Sequence, residues 1–533
     1  MRRLVSDLKT NRRWLWAALI GCVLLLLCIA RFGTDAGSTW DEPSRAEYGD
    51  VILRWFASGF HDTRATHFEN LFLEGGLFEV FAQSIARFSP LGMIETRHLV
   101  IACVALLGVV VTGLTASEVA GPRAGFLAGA MLALTPAWIG HAWFNSKDIP
   151  FATAAIIITW LATRIARRGA PPRMIDALSA GIAIGIALAI RPGGYFLAIY
   201  LFCACALAIS ASNKDRDPRW LEQTARLTIL RFGAMVPVAW LLMLIAWPWA
   251  WSAPVVGPLT AMKLAGHASF TTTTLFRGQI VGASAAPLSY LPTWFAITTP
   301  DFYFVAFGLG VIAFAMRRRN PERVDVRGWA IIVLSIVLPV AAAMITRPAT
   351  YDGLRHFLFV FPPLAAVAGV GVSSFLGGKA VPPIVLTVGA GIFLVAIGTA
   401  MVDAALLHPY EYAYFNRVFG GLPAAQGRFE TDYWGASYKE AFEWVANDAH
   451  ASNTQPVRVA SCNDSSNKRL EYYRSEWTGV SQRISIVPLE KNPDLFLHST
   501  RQYLCPQVEG PVIHTVSRLG VPLLYVRQMS HQP

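Results

Sequence analysis

The residues best suited to chemistry begin with Thr39-Trp40-Asp41-Glu42-Pro43, which follows directly on the first apolar run. Carboxylates at the rim of an apolar segment are costly unless they have a use. Asp41 is the candidate general base for an acceptor hydroxyl, with Glu42 as its neighbour in the catalytic pair. Capping competes with that reading, because Thr39-x-x-Glu42 fits a capping box and acids suit the first turn of a helix.

Further polar clusters close later apolar runs. They are Asn145-Ser-Lys147-Asp148, Arg191-Pro192, Lys263, Arg347, and Tyr351-Asp352-Gly-Leu-Arg355-His356. Lys147, Arg191, Lys263, Arg347 and Arg355 are candidate partners for a donor phosphate. Trp40, Trp143, Trp249 and Trp251 offer faces to a sugar, and Asn145, Asp148, Tyr351 and His356 offer polar contacts. Such a set suits in-line attack of a hydroxyl on the anomeric carbon of a phosphate-linked sugar, inverting its configuration. The glycine-rich phosphate signature of nucleotide sites is missing from the sequence. No cofactor is required by this chemistry; a divalent cation held by Asp41 and Asp148 stays open. Each residue also has a plainer reading. Arginines at helix ends snorkel as membrane anchors. Tryptophans at the interface form the aromatic belt, which suits Trp249 and Trp251. Asp148 can cap the helix ahead of Pro150, and His141 reads as a satisfied interface histidine.

The elements that must position these residues are membrane spans. The chain has 533 residues, 54% hydrophobic and 15% charged, where a soluble protein carries about 25% charged residues. Apolar runs of span length recur, about eleven in all, which predicts a polytopic α-helical membrane protein. The net charge of +11 does not point to nucleic acid, because the basic residues sit in short loops: Arg2, Arg3, Lys9, Arg12 and Arg13, then Arg164 to Arg173, Lys214 to Arg219, and Arg317 to Arg319. These loops alternate with the polar clusters, which places the N-terminus on the cytoplasmic side and the clusters on the exported face. The first run, about 14–30, is read as a retained anchor, since no small-residue cleavage site follows it.

Residues 1–407 are thus expected to form the membrane domain. Its exported first loop, about 32–98, is expected to hold two or three helices along the membrane surface. Residues 408–533 are expected to be exported and to end in a small α/β domain. Helices are read at Ser437–Asn447 and Ser465–Tyr473, and strands at 456–461, 484–489, 512–516 and 523–526. Cys462 and Cys505 could pair there if the region is exported. The other five cysteines fall in apolar runs, as small core residues.

The motifs together resemble the bacterial, polytopic branch of the GT-C glycosyltransferases, related to protein O-mannosyltransferases and the lipid A aminoarabinose transferase. The resemblance covers most of the membrane region. It rests on Asp41-Glu42, Phe144-Asn-Ser-Lys-Asp148-Ile-Pro150, Arg191-Pro192, Trp247-Pro-Trp-Ala-Trp251 and Tyr351-Asp-Gly-Leu-Arg355-His356. It implies a polyprenyl-phosphate sugar as donor, Asp41 as base, and the bacterial cytoplasmic membrane as the location. The acceptor stays open between protein, lipid and cell-wall glycan. The segment Tyr410 to Gly435, with the α/β domain, is expected to help hold that acceptor. Two rivals stand beside a transferase. A transporter or flippase of a lipid-linked substrate predicts ionisable residues near mid-bilayer and internal repeats. A non-catalytic scaffold predicts tolerance of changes at Asp41 and Lys147.

Overall fold

The computed structural model describes residues 2–168, 171–212, 218–267, 272–317, 326–448, 456–477, 482–501 and 505–529. Lys214, Arg216, Arg318 and Arg319 of the basic loops lie outside the described residues.

The apolar runs fold as expected into a polytopic helical bundle. Eight helices are long and apolar enough to cross a bilayer, from Arg12–Phe32 to Pro383–Leu407. Two further helix pairs are apolar enough when taken together but sharply bent: Pro122–Ala133 meets Pro136–Phe144 at 64°, and Tyr290–Thr298 meets Asp301–Met316 at 92°. Each break precedes a proline, Pro136 or Pro300. Thr135 and Thr299, held extended before them, take the conformation that a following proline favours. The remaining expected crossing, Met174–Leu188, is a 15-residue helix. At ~1.5 Å per residue it is shorter than a ~30 Å hydrocarbon layer.

Burial separates the helices by role. In Asp148–Arg168, 83% of the apolar window is buried inside the protein, against 0% in Arg12–Phe32. The first is therefore the centre of the bundle and the second its lipid-facing edge. Small residues at 152, 154, 155, 162 and 166 let neighbours approach the central helix closely. Its buried Thr159 and Thr163 hydroxyls donate to the carbonyls of Ala155 and Thr159, so neither is left unpaired.

The first loop folds into helices Glu42–Ala57 and Leu77–Ala86, joined through two short 3-10 turns. The segment after Trp247 holds a hairpin that the sequence pattern did not announce: Thr273–Phe276 (β1) and Gln279–Gly282 (β2). Its turn residues Arg277 and Gly278 both have positive φ, +53° and +81°, the geometry of tight two-residue hairpins.

The C-terminal region is an α/β unit. Its strands are Val457–Ser461 (β3), Ile484–Ile486 (β4), Leu495–Ser499 (β5), Val512–Arg518 (β6) and Val521–Gln528 (β7). They form one sheet in the order β4-β3-β5-β7-β6, with β3 parallel to both neighbours and β7 antiparallel to β5 and β6. Helices Tyr438–Asp448 and Asp464–Glu476 accompany it. Central β5 is the strand missing from the sequence reading. All five of its residues are buried, so it shows none of the alternation that marks a half-exposed strand. Cys462 and Cys505 form a disulfide, with their Cα atoms 4.5 Å apart.

This unit is fused to the bundle. One apolar core runs from Phe496, Leu497 and Leu524 through Phe442 to Tyr412, Trp434, Trp143 and Phe144. His408 pins the joint. Its Nδ1 lies 2.6 Å from Glu411 Oε1 and its Nε2 3.1 Å from Asp35 Oδ2, tying the end of the last span to the end of the first. Burial pushes its pKa down, but the two carboxylates outweigh burial and the net shift is upward. A raised folded pKa gives stability that is full below about 6.5, the ordinary histidine value, and is lost as pH rises through the folded value. The thermal midpoint should therefore fall on raising the pH across that window, and His408→Gln should flatten the profile. An equally steep profile in the variant would rule the contact out as its source.

Candidate active site

Asp41 is the N-cap of Glu42–Ala57, with Pro43 next to the first helical position. It is set deep in the molecule, yet its side chain is 42% exposed, so it faces a cleft. Its Oδ2 lies 3.2 Å from Nη1 of Arg355. Among the described residues nothing donates to Oδ1. Burial alone would raise the carboxyl's pKa. The charges of Arg355, Arg45 and Lys147, with the Arg355 hydrogen bond, outweigh it and hold the group ionised below its ordinary value.

Arg355 is the hub. It is buried, pairs Asp352 at 3.2 Å as well as Asp41, and stacks over Tyr351 and Trp434 at 5.0 and 4.8 Å. Two aromatic faces and two carboxylates fix the guanidinium plane. His356 packs edge-on against Tyr351, with centroids 4.8 Å apart.

The knot after the third crossing supplies the opposite wall. Asn145 Nδ2 donates to Asp148 Oδ2 at 2.9 Å, and Asn145 Oδ1 accepts from the Asp148 amide at 2.8 Å. Asn145 Nδ2 also meets His141 Nδ1 at 3.0 Å, and His141 Nε2 meets the Tyr433 hydroxyl at 3.0 Å. Asp148 is paired to Arg191, and Arg191, His356 and Arg355 all lie within electrostatic reach of it. Lys147 is paired to Glu74. Burial pushes the Lys147 ammonium down to about 8, against the opposing pull of Glu74.

A scaffold unseen in the sequence holds these groups. Arg45, one turn after Asp41, bridges Glu74 at 3.6 Å and Glu79 at 3.4 Å. Glu79 in turn pairs the fully buried Arg97 and accepts from Ser146 at 2.8 Å. The i+4 spacing of Arg45 from Asp41 was the signal available for it. No local pattern marks the contacts made by the C-terminal region. Trp40 Nε1 donates to the Tyr433 carbonyl at 2.8 Å, and Arg469 lies 4.5 Å over the Trp40 ring. Ser38 is held by the hydroxyl of Tyr473 at 2.6 Å and by Arg469 at 3.0 Å. Gly435 has φ +66°, and a Cβ there would lie 3.1 Å from both Arg469 and the Trp40 ring; that position needs glycine on both counts.

The structure thus gathers Asp41, Lys147, Asp148, Arg191, Tyr351, Arg355, His356 and Asn145. The other candidates are held differently. Glu42 is buried, accepts from the Thr39 amide at 2.8 Å and meets His98 at 2.8 Å; the Thr39–Glu42 contact forms, but the helix is capped at Asp41 and no capping box closes. Trp40 is engaged by the C-terminal region, as above. Arg347 is exposed at the end of Val326–Thr346, and Lys263 is exposed on Val256–His267. Trp251 clusters with Trp55 and Phe60, and Trp249 with Trp247 and Phe72, as belt and packing residues do. The Tyr410–Gly435 segment lies beneath the site, because Tyr433 and Trp434 contact His141, Trp40 and Arg355. Asp41 and Asp148 are each paired to an arginine, and no three His, Cys, Asp or Glu side chains group as metal ligands among the described residues.

No family profile and no curated protein matches the chain. Among solved structures, it is similar to ArnT from Cupriavidus metallidurans in the apo state, at 15% identity and a TM-score of 0.49, over 96% of this chain and 98% of that one. It is also similar to the same protein bound to undecaprenyl phosphate, at 14% identity and a TM-score of 0.48, with the same coverage of both chains. The apo oligosaccharyltransferase of Archaeoglobus fulgidus is similar at 13% identity and a TM-score of 0.47, over 89% of this chain and 64% of that longer one. ArnT is a lipid A aminoarabinose transferase, one of the relatives that the sequence resemblance names. A likeness at this level fixes no function, and the chemistry of this chain rests on its own side chains.

Proposed function

We propose that the chain is an inverting glycosyltransferase. It moves a sugar from a polyprenyl-phosphate donor to an acceptor hydroxyl on the outer face of the bacterial cytoplasmic membrane. The observation that carries this reading is an ionised, accessible carboxylate, Asp41, set 3.2 Å from a buried arginine in a cluster of further cations. Asp41 Oδ1 takes the proton of the acceptor hydroxyl. The hydroxyl oxygen attacks the anomeric carbon opposite the phosphate, and the bond from that carbon to the phosphate oxygen breaks. The electron pair leaves with the lipid phosphate, whose charge Arg355, Arg191 and Lys147 offset. Asp148 and Asn145 orient Arg191 and face the sugar.

The donor class follows the sequence resemblance, and the disulfide in the C-terminal unit supports an exported location. Asp148 and Arg355 are the first residues of their spans. Charge at helix ends suits a site at the membrane surface better than a mid-bilayer transport path.

The test is the configuration of the product. Protein in lipid discs, given a labelled polyprenyl-phosphate sugar and membrane extract, should yield an acceptor glycoside whose anomeric centre is inverted by NMR. Retention would overturn the single-displacement step; with the protein in sealed vesicles instead, label crossing the bilayer unreacted would favour a flippase. Lys147 adds a pH signature. Its ammonium is charged below about 8 and neutral above, so the apparent donor KM should rise above that pH. Lys147→Arg, which stays charged, should remove the rise.

A further inference from the structure

Arg501 follows β5 in the C-terminal unit and lies far in sequence from every site motif. It is buried, and its Nη2 sits 2.8 Å from Asp352 Oδ1. Its Nη1 donates to the Tyr433 carbonyl at 2.7 Å, the same carbonyl that accepts from Trp40. Its Nε lies 3.7 Å from Glu430. Asp352 has φ +56°, a left-handed conformation that a residue other than glycine holds only when its surroundings impose it. The other oxygen of Asp352 pairs Arg355, and Arg355 pairs Asp41. A relay of alternating charge therefore runs Arg501, Asp352, Arg355, Asp41, from the C-terminal unit to the candidate base.

The relay has a covalent anchor. Cys505 lies four residues beyond Arg501 and is bonded to Cys462, at the end of β3. Cys462 Sγ also accepts from the Ser499 amide at 3.4 Å, so the disulfide holds both flanks of Arg501. Without Arg501, Asp352 would keep a whole buried negative charge for Arg355 alone. Arg355 would then be drawn from Asp41 toward Asp352.

Building on the transferase reading above, we propose that Arg501 is a positioning residue for the Asp41–Arg355 pair, and that the Cys462–Cys505 disulfide holds it in place. The site is then complete only when the oxidised C-terminal unit is docked. A domain that served only to recognise the acceptor would leave the pair intact when Arg501 is changed.

The test compares wild type with Arg501→Met, Arg501→Lys and the double variant Cys462→Ser/Cys505→Ser, each as folded full-length protein in lipid discs. Hydrogen exchange without substrate should be faster at residues 351–356 in Arg501→Met and near wild type in Arg501→Lys. With donor and acceptor, kcat of Arg501→Met should fall on the order of 10- to 100-fold, as for a misplaced catalytic group, a loss larger than any rise in donor KM from the displaced Arg355. Arg501→Lys should recover part of the loss, and the cysteine variant should behave as Arg501→Met. If the cysteine variant does not fold, the Arg501 pair decides. Unchanged exchange at 351–356 in Arg501→Met would overturn the proposal, even if no donor is turned over by wild type. So would a raised donor KM at unchanged kcat, which would make Arg501 a binding contact.

Discussion

Asp41→Asn should lower transfer by about 10²- to 10⁴-fold, the usual contribution of a general base, while leaving the fold and lipid-phosphate binding in place. The amide keeps the size of the carboxylate and can still accept from Arg355 through its oxygen, but it cannot take the acceptor's proton. Capping does not depend on Asp41, because its side chain makes no cap hydrogen bond and the Thr39 amide is held by Glu42. The loss should therefore appear in kcat, with the thermal midpoint little changed. A large drop in midpoint would show that Asp41 is mainly structural. An unchanged kcat would remove it as the base.

The largest stability effect should come from Glu79→Leu. Glu79 is buried and serves Arg97, Arg45 and Ser146 at once. Arg97 is fully buried, and removing one partner of a buried ion pair costs about 3–5 kcal/mol, because the other charge is left uncompensated. Arg45 keeps Glu74, so the damage should centre on Arg97. The double variant Glu79→Leu/Arg97→Met should recover much of the loss in denaturation midpoint. If the double variant is no more stable than Glu79→Leu alone, the pair is not what holds the first loop to the bundle.

Much of this architecture was legible because membrane chemistry writes itself in runs. Apolar length announces the spans, and the polar knots at their ends stand out against that background. That is why Asp41, Lys147, Asp148, Arg191 and Arg355, which the fold brings together, stood out as candidates. Arg347 and Lys263 also sit near span ends but are exposed; position along the chain says nothing of direction. Trp40, a candidate sugar platform, carries Arg469 over its ring, a contact across more than four hundred residues. Arg469 and Arg501 were invisible because their partners lie far away along the chain. Buried β5 lacked alternation, whereas the Arg277-Gly278 turn carried a signal that went unused.

Glu430 shows how the C-terminal region shapes the site. Burial raises its carboxyl to about 7, with Arg501 opposing and Asp352 adding to the shift. The C-terminal unit thus adds charges to the cluster as well as surface.

The most direct measurement is donor consumption by the purified wild-type protein in lipid discs. Labelled polyprenyl-phosphate sugars are supplied one at a time, with and without membrane extract as the acceptor source. One donor should be consumed, with release of polyprenyl phosphate, only when acceptor is present. Folded protein that binds polyprenyl phosphate yet consumes none of the donors would contradict the transferase account and favour a lipid-handling transporter.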